Sequence, residues 1–292
     1  MTMISRLGFK PQRNTTIASA HLQSASEITI VIPVKDNQRG INRFLREFFK
    51  VTPRYYYPKE IIIVDNNSRP SIALAYNNYP IPVTLKRCVK RGPASARNDG
   101  VANSTTDWVL FTDSDCIPTN SLLEGYFKVQ NGSIGYAGNI KAYGRDLISQ
   151  YYEQQEILLP PKVYEETNIR PDYLITANCL VWRNAFNEVG GFNETITIAG
   201  GEDIDLGFRL LNIGQLSYAF ESIAQHHFGD NLREFIKRFF RYGQGNRIIS
   251  ELHKLDLKPK LFKPNHKSLF NYFLAFVQYR SLRAGYEEKV EL

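Results

Sequence analysis

Three cysteines in 292 residues, Cys88, Cys116 and Cys179, are odd in number and stand at no zinc-site or CxxC spacing, which argues against a disulfide framework or a zinc site. They read as reduced and mostly buried side chains. Long apolar runs are also missing. The only one near the C-terminus, Leu269 to Tyr279, falls short of the roughly 20 residues needed to span a bilayer. The opening stretch MTMISRLGFKPQRNTTIASAHLQSASE has no apolar h-region, so translocation is not expected and a cytoplasmic location is. No GxGxxG follows the first strand-like run and no GxxxxGK[ST] occurs, which disfavours a dinucleotide fold of the usual kind and a P-loop. There is no internal repeat.

What is present is ordinary globular material with one lopsided feature. A composition 43% hydrophobic and 13% aromatic supports one large core or two small ones. The net charge of +7 is concentrated near the C-terminus: residues 231–283 hold twelve Lys/Arg against Glu234, Glu251 and Asp256, a local net of +9. Residues 1–230 are therefore close to neutral. The basic segment asks for an anionic partner of its own or forms a solvated face.

Residues 1–26 are polar and without period, and read as a mobile tail. A regular pattern then begins. ITIVIPV (28–34) is a buried-strand run, followed by an amphipathic stretch with Ile41, Phe44, Leu45, Phe48 and Phe49 on one face. EIIIVDNNS (60–68) and PVTLKRC (82–88) are further strands, GPASARNDGVANST (92–105) a helix, and DWVLFTDSD (107–115) a fourth strand. Alternation of strand and helix predicts a parallel sheet covered on both faces. Ligands of such sheets sit off the carboxyl ends of the strands. Asp36, Asp65, Asp113 and Asp115 stand at those ends. Residues 134–180 read as a partly irregular, substrate-covering insertion. ITANCLVW (175–182) then gives a strand, and AGGEDIDLGFRLLNIG a helix with Glu202 and Asp203 in its first turn.

The carboxylates have ordinary readings beside chemical ones. Asp113-Ser114-Asp115 fails as an EF-hand loop, because apolar Ile117 occupies a ligand position and no glycine follows. It is credible either as an Asx-type turn or as a divalent-metal and nucleotide site, which needs few carboxylates because substrate phosphates complete the shell. Glu202 and Asp203 suit the helix dipole, which also predicts an ionised Asp203 near neutral pH. The preceding Gly200 and Gly201 leave room for another molecule and favour a general base there. Asp205 and Arg209, at i and i+4, read as a helix ion pair. His226 and His227 follow a strand-like stretch and need no metal role of their own.

Taken together, VIPVKDN, IIIVDNNS, RGPASARNDG, VLFTDSD, VGGFNE and GGEDIDLGFRL resemble the inverting glycosyltransferase family 2 in order and spacing, over about residues 28–228. The resemblance implies an α/β fold of GT-A type, a Rossmann-like, mostly parallel mixed sheet covered by helices. The catalytic domain would occupy residues 27–230, and residues 231–292 would form a basic amphipathic helical extension. It also implies a nucleoside-diphosphate sugar donor, UDP-linked in the first instance, and Mn2+ or Mg2+ as cofactor. Pro33, Val34, Asp36, Asp65, Arg97, Asp113 and Ser114 would face the donor. Asp115 would hold the metal, with His226 in preference to His227 completing its site. Asp203 would be the catalytic base and Glu202 would orient the acceptor or Asp203.

Two other readings compete. A sugar nucleotidyltransferase shares the general fold, but it would show a glycine-rich, arginine-containing loop where VIPVKDN stands. A non-catalytic protein could use the basic segment to bind nucleic acid or an anionic membrane. No specific nucleic acid partner is expected. Peripheral docking on the inner face of a membrane is: in LREFIKRFFRYG, Leu232, Phe235, Ile236, Phe239 and Phe240 recur at helical spacing with basic residues between them. The alternative is that this stripe packs on the catalytic domain. Neither the sugar nor the acceptor is legible.

Overall fold

The computed structural model describes residues 21–165 and 169–288. The chain folds as β1 (Ile28–Val34), α1 (Gln38–Val51), β2 (Glu60–Asp65), β3 (Val83–Arg87), α2 (Pro93–Ala102), β4 (Trp108–Thr112) and β5 (Cys116–Pro118). Next come α3 (Ser121–Phe127), β6 (Gly135–Ala142), α4 (Leu147–Gln154), β7 (Lys162–Tyr164), β8 (Ile169–Pro171), β9 (Asn178–Trp182) and α5 (Arg183–Glu188). The rest is α6 (Glu202–Leu211), β10 (Leu216–His226), α7 (Leu232–His253) and α8 (Leu269–Glu287).

Eight strands form one sheet in the order β3-β2-β1-β4-β9-β6-β10-β5, with a small β7-β8 pair beside it. The β3-β2-β1-β4 half is parallel. β9 runs antiparallel to both β4 and β6, and β5 antiparallel to β10, so the sheet is mixed. Strict alternation of strand and helix is broken once: residues 66–82 join β2 to β3 without a helix. The carboxylate of Asp65 organises part of that connection, accepting from the Ser68 and Ile72 N–H groups at 2.9 and 3.2 Å.

The continuous apolar runs are explained by burial on both faces. Ile28, Ile30, Ile32 and Leu110 point into a core shared with Ile41, Phe44, Leu45 and Phe48 of α1. Their neighbours Val31, Val109 and Phe111 point the other way, against Ala94 and Val101 of α2 and Leu206 and Leu210 of α6. Strand alternation thus feeds two layers of helices. All three cysteines are free and buried.

Residues 1–20, most of the stretch read as a tail, lie outside the described residues. Leu22 and Ala25 are 4% and 3% exposed, so the end of that stretch is packed on the domain. The C-terminal segment is also packed. Phe235 and Phe239 of α7 are buried with Tyr151 and Tyr152 of α4 and with Leu274 of α8. This corrects the expected lipid-facing stripe: its two central aromatics are core residues. Farther along α7, Ile248 and Ile249 close on Ile204 and Phe208 of α6. No helix among the described residues is long and apolar enough to cross a membrane.

Candidate active site

The parallel strands end together at one edge of the sheet, and a cavity of about 1720 Å3 opens there. Pro33, Val34, Arg97, Asp113, Ser114, Asp115, Glu202, Asp203 and His226 all line it. Its volume exceeds the roughly 300–1,000 Å3 of a usual small-molecule pocket and leaves room for two substrates. Asp36 and Asp65 do not line it. Asp65 is buried under the loop it organises, while exposed Asp36, at φ 54°, accepts from the Arg69 N–H at 2.8 Å.

Arg97 is the hub. Pro93 starts α2 at its first turn, and the helix is so enclosed that the Arg97 side chain is only 4% exposed. One guanidinium nitrogen donates to Asp113 Oδ1 at 2.8 Å and the other to Glu202 Oε1 at 2.9 Å, while the group lies 5.6 Å over the Phe192 ring. Burial alone would lower the Arg97 pKa, but the charges of Asp113, Glu202 and Asp203 outweigh it and raise it. One cation therefore ties the turn after β4 to the start of α6.

Glu202 is 4% exposed and also accepts from the Gly200 N–H at 2.8 Å. Asp203 is partly buried, and its Oδ1 accepts from the Ile204 N–H at 2.9 Å. Desolvation first, and the Glu202 charge second, push the Asp203 pKa up to about 7, against the lowering effect of Arg97. The expectation that the helix dipole keeps it fully ionised is thus corrected. The dipole contributes about 0.3–1 kcal/mol, less than one pKa unit at about 1.36 kcal/mol per unit.

The two glycines before α6 line the cavity, as expected of positions that leave room for another molecule, and the backbone around them is constrained as well. Gly201 takes φ 104°, a left-handed conformation that favours glycine, and a Cβ on Gly245 of α7 would stand 2.4 Å from the Gly200 carbonyl. The missing Cβ of Gly245 lets α7 close on this turn. Asp205 keeps its structural role: Arg209 donates to its Oδ2 at 2.6 and 3.0 Å, and His253 at the end of α7 stands 2.9 Å from its Oδ1.

On the far side of the triplet, Asp115 Oδ1 stands 3.2 Å from His226 Nε2. Burial would raise the Asp115 pKa, but the charge and hydrogen bond of His226, together with Arg238, pull it down to about 2. His226 is 3% exposed, its ring tilted against that of Phe228 at 4.4 Å, and its Nδ1 is buried without a partner. His227, one residue past the end of β10, lies against Tyr143 instead, which separates the two histidines. Cis ligands about 2.1 Å from an octahedral ion stand about 3.0 Å apart, so the Asp115 and His226 atoms fit one divalent cation. The Cys116 Sγ lies within 4.8 Å of both. Burial pushes that thiol well above its ordinary pKa, and it donates to the Ala177 carbonyl at 3.4 Å, so it is not counted as a ligand.

Arg238 is the main residue that the sequence pattern concealed. It reads as one basic residue among several on α7, yet it pairs with both Asp230 oxygens at 2.8 and 3.1 Å, lies over the Tyr152 and Phe228 rings, and lines the cavity. Asp230 precedes the helix and stands eight positions away, beyond any helical pairing rule.

Comparison with known proteins identifies the family and the fold. The family model described as Glycosyl transferase family 2 matches residues 29–190. A pre-mycofactocin glycosyltransferase of Mycobacterium tuberculosis is 29% identical over 242 residues, covering 79% of this chain and 49% of that protein. The chain thus spans about half the length of that relative. Glycosyltransferase AglE of Haloferax volcanii is 25% identical over 246 residues, covering 79% of this chain and 76% of that protein. Among solved structures, a mannosyltransferase of Pyrobaculum calidifontis in complex with GDP-Man and Mn2+ superposes with a TM-score of 0.55 at 14% identity, covering 98% of this chain and 81% of that one. GalNAc-T7 with UDP, GalNAc and Mn2+ gives 0.52 at 16% identity, over 78% and 53%. Both have the same fold.

Proposed function

The chain belongs to glycosyl transferase family 2, and on that premise we propose that it is an inverting glycosyltransferase. The donor is a nucleoside-diphosphate sugar, UDP-linked in the first instance, and the acceptor presents a hydroxyl. The observation that carries this is Arg97 holding Asp113 and Glu202 in one cavity with Asp203, across from the Asp115–His226 pair. The ligands named for the two structural neighbours, a nucleotide sugar or its parts with Mn2+, support the choice of donor class and of a divalent cation, Mn2+ or Mg2+.

Asp115 and His226 would hold the cation, which when bound neutralises charge growing on the departing diphosphate. Pro33, Val34, Asp113 and Ser114 form the donor side of the cavity, with Asp36 and Asp65 supporting it through the loops they hold. Asp203 takes the proton of the acceptor hydroxyl as its oxygen bonds to the anomeric carbon. The bond from that carbon to the diphosphate breaks on the opposite face, so configuration inverts. A carboxylate poised near neutrality suits proton uptake better than one fixed at ordinary acidity. Glu202, already bonded to Arg97 and Gly200, positions Asp203.

The test is a panel of nucleoside-diphosphate sugars incubated with the purified chain, with Mn2+ or EDTA, followed for nucleoside diphosphate release. Metal-dependent release from one donor is expected. No release from any donor, together with no donor-dependent thermal shift, contradicts the reading.

A further inference from the structure

The helix α8 is apolar on the side that faces solvent as well as on the side that packs. Its buried side mixes Leu274, Ala275 and Leu282 with Asn271, Gln278 and Ser281. Its outer side begins with Leu269, 91% exposed, and continues with Tyr272, Phe273 and Phe276 at 43%, 49% and 55%. These positions recur at i, i+3, i+4 and i+7 and form one continuous stripe. An exposed apolar stripe of this kind marks an interaction surface.

The charges beside it decide what covers it. Between Asp256 and Glu287 the chain has six Lys/Arg and no Asp or Glu. Lys263 and Lys267 precede the stripe, Arg280 follows it, and all three are exposed. A second copy on a two-fold axis would set these cations against their own counterparts with no local acid to offset them. An anionic bilayer meets both needs, apolar depth for the rings and phosphates for the cations. We propose that the outer face of α8 rests in the surface of an anionic membrane, with Leu269, Phe273 and Phe276 at the acyl boundary and Lys263, Lys267 and Arg280 against lipid phosphates. No described helix crosses a membrane, so the contact is peripheral. The opposite side of the same helix, Gln278 and Leu282, lines the cavity. Docking therefore holds the cavity about one helix diameter, roughly 10 Å, from the lipid. The proposal rests on the composition and exposure of α8 and not on the transferase reading.

The experiment is co-sedimentation of the full chain with phosphatidylcholine vesicles, with or without about 30% phosphatidylglycerol, over a salt series. Light scattering of the free protein runs in parallel. Binding to the anionic vesicles at least about tenfold tighter than to neutral ones, and fading with salt, is expected. Both Phe273→Glu/Phe276→Glu and Lys263→Glu/Lys267→Glu should weaken it by about tenfold or more, with the thermal shift by donor and metal unchanged. Absence of sedimentation with any vesicle overturns the proposal, as does binding that neither pair of substitutions weakens. A concentration-dependent dimer that dissociates in Phe273→Glu/Phe276→Glu, without vesicle binding, assigns the face to a second copy instead. Because the thermal shift is read separately, loss of docking is distinguishable from loss of the donor site.

Discussion

Two aspartates line the same cavity and titrate in opposite directions. Asp115 is drawn down to about 2 by His226 and Arg238 despite its burial, whereas Asp203 is pushed up to about 7 by burial and by Glu202 despite Arg97. The difference lies in what each carboxylate faces. Asp115 has His226 3.2 Å away, while Arg97 is already bonded to Asp113 and Glu202 and reaches Asp203 only through space. One side of the cavity thus keeps a permanent negative charge, suited to a cation and its phosphates. The other keeps a carboxyl able to take and release a proton at neutral pH. Divergent pKa values in one site are how two carboxylates acquire two roles.

The most damaging way to break that contrast is to remove the shared cation. Arg97→Ala leaves Glu202 buried without its partner and is expected to lose about 3–5 kcal/mol of stability by chemical denaturation, together with all transfer. Retained stability in that variant would mean the hub is dispensable. Asp203→Asn should next lower transfer by about 10²–10⁴-fold while donor affinity stays within a few-fold, because the proton it accepts belongs to the acceptor. If more than about a tenth of the rate survives, Glu202 becomes the better base. Asp115→Asn should weaken metal-dependent donor binding by about tenfold or more, measured by calorimetry with and without EDTA. The smallest effect is expected at the supporting layer. His253→Ala removes one partner of buried Asp205 and should cost about 1–2 kcal/mol of stability, leaving the pH dependence of the rate in place.

How far the sequence could foresee this contrast depends on the range of the forces involved. The strands were legible because burial on both faces demands continuous apolar runs, and the strand-end carboxylates because α/β sheets hold ligands there. The first-turn position of Asp203 was legible too, but its titration was not. A local dipole argument predicts an ionised group, whereas desolvation, the largest cause of the shift, comes from tertiary packing. Gly245 shows the same limit: a backbone carbonyl forty-five positions away, that of Gly200, leaves no room for a Cβ there. The basic face read on α7 likewise hides Arg238, whose partner Asp230 lies off the helix. The apolar stripe of α7 was seen correctly as a stripe, but periodicity does not say whether protein or lipid covers it. In the structure protein covers Phe235 and Phe239, and the uncovered rings lie on α8.

The rate itself should carry the signature of Asp203. Only the deprotonated carboxylate accepts a proton, so transfer should rise about tenfold per pH unit up to about 7 and level off above it. A direct reading that needs neither acceptor nor donor is a carbon-13 carboxyl NMR titration of the metal-free protein, with the two resonances assigned through Asp203→Asn and Asp115→Asn. The account predicts that the Asp203 signal moves with a midpoint near 7 while the Asp115 signal stays that of a carboxylate down to the acid limit of the fold. Two signals that titrate together in the ordinary carboxyl range, about 3.5–4.5, would contradict it.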